Sequence, residues 1–185
     1  MTIKKQLLFI ALTVNFVFIA KSQERPPKFD VPFLVHADNL IETESNVAVE
    51  QQIKKELFYQ VQNPSSGVST PMARPEFVVL TNDMDPHGLR LYAFELNNGN
   101  REIMFRKKKK IVARSYFLSV ENLGEGTFRI RTDDVLENGE YCLTPDGSNK
   151  VFCFTVYWFS ESRYICPNKK ECTPLLGMAT NRHAD

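Results

Sequence analysis

The chain has 185 residues, of which 43% are hydrophobic, 11% aromatic and 24% charged, with 23 basic and 22 acidic side chains. This composition excludes a disordered, a collagen-like or a polytopic membrane protein, and the length suits one domain. A formal charge of +1 offers no basic excess for a phosphate backbone, so nucleic acid is not an expected partner.

At the N-terminus, Lys4 and Lys5 precede an apolar run from Leu7 to Ala20, and Ala20 and Ser22 are small residues three and one before a cut. The pattern predicts a secretory signal peptide removed after Ser22. An uncleaved anchor fits less well, because spanning hydrocarbon takes ~20 apolar residues and Asn15 interrupts the run. Cleavage removes Lys4, Lys5 and Lys21 and no acidic residue, leaving 20 basic against 22 acidic groups and a formal charge of −2. The expected organisation is a signal peptide over 1–22, a β-sandwich domain over 23–159 and a disulfide-looped tail over 160–185. The mature chain is then periplasmic or extracellular, with no stable membrane span.

Residues 29–35 read as a first strand, and Pro32 argues for an edge position. Over 42–61, Val49, Ile53, Leu57 and Val61 recur every four residues, which favours a short helix or irregular segment running into a strand. Asn63-Pro64 and Thr70-Pro71 mark a loop. Strand signals then become dense: 76–80, 89–96, 101–106, 116–120, 127–132, 140–144 and 151–159. Asn97-Asn98-Gly99-Asn100 carries the Asn-Gly signature of a tight hairpin. In 127–132, Phe128 and Ile130 alternate with Arg129 and Arg131, so the arginines take the other face. Leu136-Glu-Asn-Gly-Glu-Tyr141 resembles a tyrosine-corner turn. Short strands separated by turns every 8–12 residues predict an all-β fold: an antiparallel sandwich, immunoglobulin-like or Greek-key.

All four cysteines, Cys142, Cys153, Cys166 and Cys172, lie in the last 44 residues. Export and an even count favour two disulfides. A hairpin turning at Asp146-Gly147 sets Cys142 opposite Cys153, close enough for a bridge, and leaves Cys166 and Cys172 to close a short basic loop. The same register sends Tyr141, Leu143, Phe152 and Phe154 to the core and the bridge to the outer face. Zinc is disfavoured because the gaps lack close pairs such as C-x2-C and no His is near. A C-x-x-C redox motif is absent.

Arg106, Lys107, Lys108, Lys109 and Lys110 form the most conspicuous charged run. They read either as a solvated turn that discourages strand pairing or as a contact for anionic polymers. Asn82-Asp83-Met84-Asp85-Pro86-His87 reads as a turn, since its spacing departs from a calcium loop; Asp133 and Asp134 read likewise. His36, His87 and His183 complete no nucleophile motif, and neither G-x-S-x-G, a Gly-rich phosphate loop nor H-E-x-x-H is present. Neither a metal nor a cofactor is implied.

Three stretches, 40–44, 70–77 and 136–142 with 148–157, resemble a family of uncharacterised exported bacterial proteins. The resemblance implies a small β-rich envelope or secreted protein and supplies no site residues. The resulting expectation is an exported non-enzymatic module that binds a protein or glycan partner or plays a structural part. The alternative is a small secreted enzyme, such as a glycan hydrolase whose carboxylates are brought together by folding.

Overall fold

A computed structural model describes residues 25–158 and, as backbone, two short strands at 164–168 and 171–174. The signal segment and its cleavage point lie outside the described residues. In chain order the strands are β1 (Pro32–His36), β2 (Asn39–Glu42), β3 (Glu44–Val47), β4 (Val49–Ile53), β5 (Glu56–Val61), β6 (Ser69–Thr70), β7 (Glu76–Leu80), β8 (Leu89–Asn97) and β9 (Asn100–Lys107). They continue as β10 (Lys110–Ile111), β11 (Ser115–Tyr116), β12 (Leu118–Gly124), β13 (Thr127–Thr132), β14 (Gly139–Pro145), β15 (Lys150–Val156), β16 (Tyr164–Asn168) and β17 (Glu171–Pro174). The fold is all-β and antiparallel, apart from the short parallel pairing of β6 with β15 and an isolated parallel bridge between Phe29 and Leu80.

One sheet runs β12-β13-β7-β1-β2 and the other β3-β15-β14-β8-β9-β5-β4. Their facing sides share a core: Leu34, Phe77, Val79 and Ile130 from the first, Leu91, Tyr141, Leu143, Phe152 and Phe154 from the second. Phe77 and Phe154 meet edge to face across it, 5.0 Å between centroids. On the other side of the first sheet, Arg129 and Arg131 pair with Glu76 and Glu121 across neighbouring strands, as the alternation in 127–132 predicts. At the entry to β14, the Tyr141 hydroxyl donates to the Glu137 carbonyl at 3.0 Å, the bond of a tyrosine corner. The phenol stacks on Phe154, and burial pushes its pKa far above the ordinary value, so it stays a neutral donor.

Two expectations are corrected. Residues 42–61 form strands, not a short helix: β4 and β5 pair from Val49↔Gln60 to Ile53↔Glu56 around a two-residue turn at Lys54-Lys55. A spacing of four is a multiple of two, so Val49, Ile53, Leu57 and Val61 satisfy the strand period as well as the helical one. The first strand is not an edge, since β1 pairs with both β2 and β7. Pro32 is tolerated because it is the first residue of its strand, where a missing N–H breaks least of the ladder.

The second sheet curls. Its outermost strands, β3 and β4, are consecutive in the chain and separated by Ala48 alone, so the segment 44–53 pairs with β15 over its first half and with β5 over its second. This closes the sheet towards a small barrel, with a second core of Ala48, Val61, Phe94, Cys142, Val151 and Cys153. The Asn97-to-Asn100 turn that joins β8 to β9 has positive φ at both central residues, Asn98 at 50° and Gly99 at 77°. That is the backbone of a type I′ hairpin, and only Asn, Asp or Gly adopt it readily.

Candidate functional site

The disulfide joins Cys142 and Cys153, which lie opposite each other between β14 and β15. It points away from the main core, as the register requires, but is not exposed. The curled strands β5 and β9 cover that face, and both cysteines are fully buried in the second core. The backbone of β16 and β17 forms a hairpin around 168–171. The side chains of Cys166 and Cys172, and the expected bridge between them, lie outside the described residues.

Arg106, Lys107, Lys108, Lys109 and Lys110 sit at the end of β9, in the following two-residue turn and at the start of β10, all exposed. The sequence reading missed what lies beside them. β5 pairs with β9 along its whole length, so the Lys54-Lys55 turn is carried next to the Lys108-Lys109 turn, and the Lys108 N–H donates to the Lys55 carbonyl at 2.6 Å. Seven cationic side chains from two turns 54 residues apart thus share one tip. Glu56 pairs with Lys107 there, at 3.2 Å. A groove of about 590 Å³ lies between the turns, lined by Gln52, Leu57, Arg106 and five of the lysines among others. The sequence signal that could have found this is the pair Lys54-Lys55, a two-residue turn flanked by apolar alternation.

A second concavity, of about 350 Å³, arises where the β8–β9 hairpin comes apart. The two strands pair from Asn97↔Asn100 to Glu95↔Glu102 and no further. Beyond that point β8 turns to pair with β11, through Tyr92↔Ser115, while β9 stays with β5. Phe94, Tyr92, Ile103 and Phe105 are left facing the gap. Phe105 stands edge to face against Tyr59 at 5.5 Å and Tyr92 at 6.2 Å. At the mouth, Arg90 pairs with Asp146 at 3.1 Å and donates to the His87 and Leu89 carbonyls. Burial raises the pKa of both Tyr59 and Tyr92.

The far end of the barrel is closed by charge. Arg101 is fully buried; Nη1 lies 2.7 Å from Glu44 and 3.8 Å from Glu140, while Nε and Nη2 donate to the Asn63 and Gln62 carbonyls. Glu140 also accepts from Thr155 Oγ1 and the Ser66 N–H.

The remaining residues singled out in the sequence serve turns. Asp85 caps a 3-10 turn at Pro86–Gly88 by accepting from the His87 N–H. Asp133 accepts from Ser119 Oγ and Asp134 from the Phe117 N–H. His36 ends β1 on the surface, and His183 lies outside the described residues. Among the described residues no group of three or more His, Cys, Asp or Glu is placed to hold a metal ion, and no helix is long and apolar enough to cross a membrane. Comparisons with protein-family models, with curated proteins and with solved structures each return no match.

Proposed function

We propose that this chain is an exported, non-enzymatic binding module of the cell envelope or exterior, and that its basic tip contacts an acidic glycan. The observation that carries the reading is the convergence of the Lys54-Lys55 and Lys108-Lys109 turns. One lysine run is ordinarily a solvated turn, but two runs locked side by side concentrate positive potential on a chain whose mature charge is −2. The signal pattern supports export, and a buried disulfide is compatible with an oxidising compartment. The non-enzymatic part is supported by the aromatic cavity, whose lining carries one carboxylate, Asp146, already tied to Arg90. Paired-carboxylate hydrolysis needs a second.

Retention on a heparin column under a salt gradient tests the reading. Lys108→Ser/Lys109→Ser should elute at lower salt than the wild type, and Lys54→Ser/Lys55→Ser should do so by a similar amount, because exposed charges act through a screened field. Unchanged retention of either pair would refute the shared tip.

A further inference from the structure

The cavity between β8 and β9 has the attributes of a ligand site independent of the basic tip. Paired onward from Glu95↔Glu102, an unbroken hairpin would set Phe94 directly opposite Ile103 and narrow the space that only the Tyr92 and Phe105 rings now bridge, edge to face. Instead the strands part, and the ladder partners that draw them away, β11 for β8 and β5 for β9, keep the gap open as part of the fold. Ala48, Tyr59, Phe94, Ile103, Phe105 and Val151 make one side apolar or aromatic, the polar turn 144–149 between β14 and β15 forms the other, and the volume of about 350 Å³ falls within the range of small-molecule pockets, about 300–1,000 Å³.

The polar end gives the chemistry. Tyr92 donates no hydrogen bond to any described residue, and burial raises its pKa, with Arg90 and Asp146 acting on it in opposite directions, so it stays a protonated donor. Tyr59, by contrast, spends its hydroxyl on Glu50 at 3.2 Å. The rim carries no net charge where Arg90 meets Asp146, so it does not select an anion. A neutral acceptor oxygen is the group that Tyr92 is free to meet. The edge-on rings of Tyr59, Phe105 and Tyr92 offer the arrangement that a further aromatic ring packs against.

We infer that this cavity binds a neutral aromatic group bearing a hydroxyl or carbonyl oxygen, with its ring among Tyr59, Phe105 and Ile103 and its oxygen accepting from the Tyr92 hydroxyl. A free phenolic compound and the tyrosine side chain of a peptide share that chemistry. Calorimetric titration of the whole secreted chain with 2-naphthol and with N-acetyltyrosinamide tests it. Both should bind; the tighter probe identifies the source, a free aromatic or a peptide.

Tyr92→Phe keeps the apolar wall and removes the donor, and should weaken binding about 2- to 12-fold, the range for one net hydrogen bond. Ile103→Trp fills the cavity and should abolish binding while thermal unfolding stays cooperative. If Ile103→Trp fails to fold, Tyr92→Phe alone decides. Absence of binding by both probes at millimolar concentration, or an affinity unmoved by Tyr92→Phe, would overturn the assignment.

Discussion

Reducing the Cys142–Cys153 bridge is the sharpest perturbation of the fold, because it separates two readings of a buried disulfide. The bridge closes a loop with a sequence separation of 11. In the chain-entropy treatment that loop is worth about 2.8 kcal/mol, by −2.1 − 1.5R ln n with n of about 11 at 298 K. The thiols left behind would still sit among Ala48, Val61, Phe94 and Val151, so packing is retained and the loss should stay near that value. With a urea slope of about 2 kcal/mol/M, the midpoint should fall by about 1.4 M. A Cys166→Ser/Cys172→Ser background leaves this as the sole cross-link. Trp158, the one tryptophan, packs against the core and donates to the Leu136 carbonyl, so its fluorescence reports unfolding. Because β5 and β9 cover the sulfurs, dithiothreitol should act through opening, and the reduction rate should climb with urea well below the midpoint. Rapid reduction without denaturant at a urea-independent rate would show that the covering strands do not shield the bridge. A midpoint unmoved by reduction would refute the entropic argument.

Arg101→Leu should cost about 3–5 kcal/mol in urea unfolding, because it strands Glu140 and Glu44 in a site built for a guanidinium. Adding Glu44→Gln and Glu140→Gln should recover part of that; a loss under about 1 kcal/mol for the single variant would mean the carboxylates reach water freely. Asp30 predicts a pH dependence. Burial alone would raise its pKa, but the N–H groups of Asn82, Met84 and Asp83, with the Lys150 charge, outweigh it and hold the carboxyl below its ordinary value. A depressed folded pKa gives stability that is complete above the unfolded pKa of about 3.9 and is lost as pH falls through the folded one. Asp30→Asn should therefore be less stable than the wild type at pH 7, and the gap should close on acidification; a gap that widens towards low pH would reverse the sign.

What could be read in the chain was local. The register of β14 on β15 follows from one alternation, Tyr141 and Leu143 against Phe152 and Phe154, which also fixes Cys142 opposite Cys153. The Asn98-Gly99 turn and the Tyr141 corner are local too, since a few residues' φ preferences or a single hydroxyl decide them. The curl of the second sheet was not legible, because it depends on one segment, 44–53, pairing with β15 at one end and β5 at the other. Residue types within a strand do not name the neighbour. The disulfide's cover follows from that curl, and the joining of Lys54-Lys55 to the lysine run from the equally non-local pairing of β5 with β9. The aromatic cavity is non-local too: Tyr59, Tyr92 and Phe105 read as ordinary strand residues until β8 and β9 are seen to part.

The proposed function requires the two lysine turns to act as one contact surface. Titrating isotope-labelled protein with a sulfated hexasaccharide and following backbone amide shifts tests it directly. Concerted shifts are expected at Lys54 and Lys55 and at Lys107 to Lys110, with one shared affinity that weakens as salt rises. Shifts at the 107–110 run alone, or none at the tip, would contradict it.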